Sequence, residues 1–326
     1  MFFKTEASPA AAMRSRSGCY ALPMPAVSVI LPTHDRPELL TRSARSVLEQ
    51  SFEDLELIVV DDGSRVPAEG ALRCPEDRRT RVLRSDVPLG PARARNLGLE
   101  VAAGDWIAFQ DDDDEWLPGK LERQMESALR ADPRLGVVYC PFWRVGRDGS
   151  RIPARHPEVS SGQAFHEELL RGNFIGLPTA VVRRGCFEEV GRFDPALRCF
   201  EDWELFIRIA ARFDFECIDE PLVQAHDSPS SINKADSAIQ AEAFRRILDN
   251  HREAIEANPS VHADFMFHIA HHLCMSGDLR RGREFAGRAL RVRPSLRGAV
   301  TLATSFFGGG AYRILARLYD DLRRAG

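Results

Sequence analysis

No stretch of this chain stays apolar for the roughly 18 residues that a bilayer-crossing helix needs. The longest candidate, residues 298–312, lies between Arg297 and Arg313 and is broken by Gly308-Gly309-Gly310. The spacing C-x-x-C is missing too. Seven cysteines (Cys19, Cys74, Cys140, Cys186, Cys199, Cys217 and Cys274) are odd in number and scattered, which argues against a zinc cluster or a disulfide framework and for a reducing, cytoplasmic compartment. Neither G-x-G-x-x-G after the first strand nor G-x-x-x-x-G-K-[ST] occurs, so neither a dinucleotide fold nor a P-loop is supported. Residues 1–25 lack the continuous apolar core of a signal peptide. They read as a disordered leader, with Met13 or Met24 as alternative starts.

What is present suits a globular α/β protein. The 326 residues, 44% apolar and 28% charged, are enough for one large domain and an appendage. Charge is segregated: residues 280–326 hold eleven Arg against Glu284, Asp320 and Asp321, a net +8, and residues 1–25 hold +2. The net charge of −4 therefore leaves −14 on residues 26–279. A basic tail follows an acidic body, and no nucleic-acid partner is expected.

The body reads as alternating strands and helices. Val27-Ser-Val-Ile-Leu31 is a strand, and Pro32-Thr33-His34-Asp35-Arg36-Pro37 turns into a helix that Asp35 can cap with Glu38 as reciprocal partner. Leu55-Glu-Leu-Ile-Val-Val60 follows and ends in Asp61-Asp62-Gly63-Ser64. A right-handed crossover brings both loops to one sheet edge, where open α/β sheets bind ligands. Asp61-Asp62-Gly63-Ser64 is either a polar turn or a carboxylate site for a base or ribose. Residues 82–84 are a short strand, and the helix from residue 91 carries Arg93 and Arg95 near its start, where the macrodipole disfavours cations. They are either solvated surface charge, or one faces a nucleotide or braces the acidic loops.

Trp106-Ile-Ala-Phe-Gln110 is the next buried strand, and it runs straight into Asp111-Asp112-Asp113-Asp114-Glu115. Two carboxylates about 4 Å apart repel by roughly 1 kcal/mol in water and about 4 kcal/mol at a protein surface. Five in a row need an offset. Either solvent and the helix start near Leu117-Pro118 supply it, or a hard divalent cation shared with phosphate oxygens does. Residues 136–145 and 178–183 read as strands, and Glu201 and Asp202 begin a helix with Trp203, Phe206, Ile207 and Ala210 on one face. They are either acidic caps or a general base in a cleft. Residues 215–218 read as the last strand, and His226 as the start of an exit loop.

Taken in order, Val27-Ser-Val-Ile-Leu-Pro-Thr33, Val59-Val-Asp-Asp-Gly-Ser64, Ala94-Arg-Asn-Leu-Gly98, the acid run and Phe200-Glu-Asp-Trp203 resemble the family 2 glycosyltransferases of the GT-A fold. The resemblance covers residues 26–231. It implies a Rossmann-like, mostly parallel sheet flanked by helices that binds a nucleotide-sugar, most often a UDP-sugar, and transfers sugar with inversion. It implies that Pro32 and Asp62, with Thr33 beside them, meet the uracil, and that Arg95 lies near it. Asp111 or Asp112 then meets ribose or sugar, and Asp113 holds Mn2+ or Mg2+. An Asp at the middle position, where a small residue is commoner, leaves open a ligand role shared with Asp112. Asp202 matches the catalytic base, with Glu201 as its substitute. His226 lies where related enzymes place a metal or phosphate contact, and the alternative is a plain loop histidine. The family's processive members carry Q-x-x-R-W and membrane helices, both missing here, so a single-sugar transfer to a glycan or glycolipid acceptor in bacterial surface-glycan assembly is implied. A non-catalytic scaffold of the same fold is the alternative.

These readings divide the chain into a leader (residues 1–25), a GT-A domain (26–235) and a helical C-terminal extension (236–326). Helices are expected at residues 239–258, 262–276 and 279–293. The last two resemble one tetratricopeptide-type hairpin, which must pack on the catalytic domain or on a second subunit in a homo-oligomer. The last helix puts Leu315, Leu318, Tyr319 and Leu322 on one side and Arg313, Arg317, Arg323 and Arg324 largely elsewhere. Such a stripe either docks on a core or lies on an anionic membrane, here the inner face of the cell membrane.

Overall fold

The computed structural model describes residues 24–72, 77–154, 162–227 and 236–316. Most of the expected leader lies outside these residues. So do Leu318, Tyr319, Leu322, Arg317, Arg323 and Arg324 of the expected last helix.

β1 (Val27–Thr33), α1 (Pro37–Leu48), β2 (Leu55–Asp62), α2 (Ala68–Ala71), β3 (Thr80–Ser85), α3 (Pro91–Val101) and β4 (Trp106–Phe109) follow in turn. β1, β2 and β4 are almost wholly buried, as continuous apolar runs covered on both faces should be. β1 lies parallel to both β2 and β4, and β2 to β3. The residues that end these strands, Thr33, Asp62 and the acid run, therefore open on one edge.

The next elements are β5 (Glu115–Trp116), α4 (Lys120–Ala128), β6 (Leu135–Tyr139), β7 (Phe142–Val145) and β8 (Arg151–Pro153). Two expectations need correction here. The helix placed at Leu117 starts at Lys120, because Glu115 and Trp116 pair in a sheet and the Leu117 N–H donates to the Leu222 carbonyl at 2.9 Å. Gly119, at φ 81°, then turns the chain into the helix. Residues 136–145 form two strands in different sheets rather than one. Pro141, which has no N–H for a ladder, marks the break.

α5 (Gly162–Arg171), a 3-10 turn (Leu177–Thr179), β9 (Ala180–Arg183), α6 (Arg184–Val190), α7 (Glu201–Ala210), β10 (Asp214–Cys217) and β11 (Val223–His226) complete the α/β layer. The large sheet runs β10-β6-β9-β4-β1-β2-β3, with β9 antiparallel to both neighbours. A small sheet runs β5-β11-β7-β8. β10 is thus not the last strand, and His226 ends β11 rather than opening a loop, since Val223 to His226 pairs with Phe142 to Val145.

α8 (Ser237–Asn250), α9 (Arg252–Glu256), α10 (Pro259–Ser276), α11 (Leu279–Val292) and α12 (Leu296–Thr304) form the helical region, followed by a 3-10 turn (Ser305–Phe307). The helix expected over residues 239–258 is broken at His251, whose ring lies 3.2 Å from Glu204 Oε1. α10 and α11 form the expected hairpin, and it is not free-standing. Trp203 of α7 stacks on Phe265 of α10 at 5.6 Å between ring centroids and meets Phe244 of α8 at 5.7 Å. One apolar cluster therefore runs from Ile30 in β1 to Leu273 in α10. Among the described residues no helix is long and apolar enough to cross a membrane.

Candidate active site

A cavity of about 720 Å³ opens at the carboxyl edge of the large sheet. Its wall includes Pro32, Thr33, Asp62, Arg95, Asp111, Asp112, Asp113, Glu201 and Asp202. His226 is not on it. Its Nε2 lies 2.8 Å from Glu115 Oε1, and its N–H donates to Asp114 Oδ1 at 3.1 Å. Among the described residues, the two non-glycines with positive φ, Asp35 (55°) and Phe200 (61°), both line the cavity. Such conformations persist where the surroundings over-determine them, typically at functional sites.

At one end, Asp62 accepts hydrogen bonds from the Leu89 and Gly90 N–H groups at 2.7 and 2.9 Å. Each oxygen keeps a lone pair for a further donor. Gly63 makes this crossing possible: at φ 71°, a Cβ there would fall 2.6 Å from the Val87 carbonyl carbon. Asp61, buried beside it, holds the turn by accepting from Ser64 and Ala68 N–H groups, both at 2.9 Å, and from Arg84. Burial opposes its ionisation, and these donors outweigh it and hold the pKa low.

Three arginines offset the acid run. Arg36 Nη1 bonds Asp112 Oδ1 at 2.8 Å and Asp113 Oδ2 at 3.2 Å, and Arg42 Nη2 donates to the Asp113 carbonyl at 2.7 Å. Thr33 Oγ1 donates to Asp112 Oδ2 at 2.7 Å. Burial still pushes Asp112 up to about 6, against the pull of Arg36. Buried Asp114, beside Asp111 and Asp113, is raised well above the carboxylate range. Asp35 does not cap α1. Its carboxylate turns to the Arg65 N–H at 2.8 Å and side chain at 2.9 Å, and Arg36 takes the capping position without a side-chain bond.

Arg95 takes the bracing alternative. Almost fully buried, it donates Nη2 to Asp111 Oδ1 at 2.7 Å and Nη1 to Glu201 Oε1 at 2.5 Å. Burial disfavours its charge, but the two carboxylates hold the guanidinium protonated. Glu201 and Asp202 are the first residues of α7, after the left-handed Phe200. Asp202 Oδ1 accepts from the Trp203 N–H at 2.7 Å and Oδ2 from Asn173 Nδ2 at 3.1 Å. Burial, then the charge of Glu201, pushes Asp202 up to about 7. Sequence reasoning singled out neither Arg36 nor Asn173. Arg36 carried a signal, as a lone cation in a loop on the acidic edge, whereas Asn173 carried none.

The residue types fit a hard divalent cation only in part. Among the described residues no three His, Cys, Asp or Glu side chains converge as a ready cage. Asp111 and Asp113 do face the cavity with oxygen donors, which suits an ion held by one or two carboxylates and completed by phosphate.

A mostly parallel sheet with an acidic, ligand-sized cavity at its carboxyl edge defines an α/β protein with its ligand site at that edge. Residues 28–191, half of the chain, match the model of Glycosyl transferase family 2, and the chain belongs to that family. It is 27% identical over 263 residues to an uncharacterized glycosyltransferase of Haemophilus influenzae, covering 77% of this chain and 86% of that one. It is 29% identical over 209 residues to the amylovoran biosynthesis glycosyltransferase AmsB of Erwinia amylovora, covering 61% and 69%. Its fold is similar to that of S. aureus TarS 1-349 in complex with UDP-GlcNAc, with TM-score 0.56, 18% identity and coverage of 86% and 79%. It is also similar to the mannosyltransferase PcManGT of Pyrobaculum calidifontis in complex with GDP-Man and Mn2+, with TM-score 0.54, 20% identity and coverage of 86% and 79%. The protein is a glycosyltransferase of GT-A fold.

Proposed function

We propose that this enzyme transfers a single sugar, with inversion, from a UDP-sugar to a hydroxyl of a glycan or glycolipid acceptor in bacterial surface-glycan assembly. The observation that carries this reading is Asp202: a carboxylate raised to about 7 by burial, on the same cavity as the acid loop and oriented by Asn173 and the Trp203 N–H. The nucleotide end is Pro32, Thr33 and Asp62, with Asp111 toward the ribose or sugar. The acceptor oxygen attacks the anomeric carbon, its proton passes to Asp202, and the bond from that carbon to the diphosphate breaks on the opposite side. A base in this role is worth about 10²–10⁴-fold. Arg95 keeps Glu201 engaged, which leaves Asp202 to take the proton. Asp113 would hold Mn2+ or Mg2+, with Asp112 sharing it only by releasing Arg36 or Thr33, and such an ion would offset the charge of the departing diphosphate. His226 joins that site only by releasing Glu115.

Two substitutions test this with UDP-sugar turnover and UDP-induced melting shifts. Asp202→Asn keeps the shape and should lower turnover by about 10² or more with the melting shift intact. Asp113→Asn should lower turnover and also shrink the Mn2+-dependent part of the shift, which EDTA should abolish in the wild type. Full activity in Asp202→Asn with loss in Glu201→Gln moves the base to Glu201. Full activity in both rejects the mechanism.

A further inference from the structure

The last helices wear their apolar side chains on the outside. In α12 the buried residues are Gly298 and Thr301, while Leu296, one turn from exposed Val300, is 81% exposed. In the turn that follows, Ser305 is buried while Phe306 and Phe307 are 67% and 73% exposed. Ile314, in the helical residues beyond, is 63% exposed. A helix docked on a core shows the opposite arrangement.

The surroundings are cationic. Residues 280–316 hold eight arginines against one acid, Glu284. The Arg283 guanidinium lies over the Phe306 ring at 4.8 Å, and Arg291 and Arg293 are exposed at the end of α11.

We propose that α12 and the Phe306-Phe307 turn are a docking face for an anionic lipid surface. Its aromatic and aliphatic side chains enter the boundary between headgroups and acyl chains, and its arginines pair with lipid phosphates. A symmetric contact between two copies through this face would bring like charges together, which argues against self-association here. The acidic body, at −14, is repelled by the same surface, so the field also orients the molecule with this end toward the lipid. The inference is independent of the sugar-transfer reading.

Sedimentation of the full chain with vesicles tests it. The protein should pellet with mixed phosphatidylcholine–phosphatidylglycerol vesicles, not with phosphatidylcholine alone, and salt should weaken binding. Phe306→Ser combined with Phe307→Ser should reduce vesicle affinity about tenfold or more while leaving the melting temperature and the UDP-induced shift unchanged. Arg291→Glu alone should weaken vesicle binding through charge, leaving untouched Arg293, which donates to Ser260. Three results overturn the proposal: wild-type protein that ignores anionic vesicles, a double-serine variant that binds like wild type, or a dimer in sedimentation velocity that the serines abolish without changing vesicle binding.

Discussion

Glu201 and Asp202 are adjacent in sequence yet differ in their surroundings. Glu201 is clamped by Arg95, whereas the hydrogen bonds to Asp202 among the described residues come from neutral donors, Asn173 and the Trp203 N–H, and Arg95 acts on it through space. Burial and the neighbouring charge of Glu201 raise Asp202 to about 7, so a large share of it is protonated near neutrality. A base works only when ionised. Activity should therefore fall about tenfold per pH unit below that value and level off above it. A profile of kcat/KM from acid to mild alkali checks this, and Asp202→Asn should lose that acid limb. A wild-type limb set near the ordinary carboxylate range would show that Asp202 is not the titrating base.

At the scale of elements, α7 joins the catalytic sheet to the helical region through Glu204. This residue, 1% exposed, bonds Arg208 Nη2 at 2.7 Å, Asn250 Nδ2 at 3.2 Å and His251 Nε2 at 3.2 Å. Burial opposes the charge, but His251 and Arg208 outweigh it and lower Glu204 to about 2. A carboxylate whose folded pKa is depressed stabilises fully above its unfolded value, near 4.5, and loses that contribution as pH falls through about 2. Glu204→Gln should therefore cost roughly 1–3 kcal/mol at neutral pH, because it replaces charged hydrogen bonds to Arg208 and His251 with neutral ones, while Arg208 keeps the Val190, Gly191 and Arg192 carbonyls. In denaturant melts the gap between variant and wild type should narrow as pH drops from about 4.5 toward 2.

For the whole molecule, the division proposed at residues 235 and 236 cuts through shared packing. Phe200 and Trp203 on the catalytic side meet Phe244, and Trp203 stacks on Phe265. Removing a buried Phe costs about 3–5 kcal/mol, so losing both, with their helices, is comparable to the roughly 5–15 kcal/mol margin of an ordinary domain. A chain ended at residue 235 should melt without a cooperative transition and expose apolar surface to a dye. A cooperative melt near the wild-type temperature would make the two parts independent folding units.

The sequence alone determined the order β1, α1, β2, β3, α3, β4 in the first half of the catalytic part, the shared edge of its parallel strands and the acids that gather there. Periodicity and turn residues are local, and a parallel crossover has one allowed hand, so the ends of β1, β2 and β4 must converge. The helical hairpin was legible for the same reason. Local reading failed where partners were distant. Thr33 and Arg36 meet Asp112 across 79 and 76 residues, and Arg95 meets Glu201 across 106. The extended pairing of β5 delayed a helix that the proline and acids near Leu117 announced. The pairing of β11 with β7 turned His226 from a loop residue into a strand end. Only the tertiary structure decided that α12 buries glycine and threonine while showing leucine and valine to solvent. Which face of a helix meets a core depends on what lies opposite, and one-dimensional spacing does not record that.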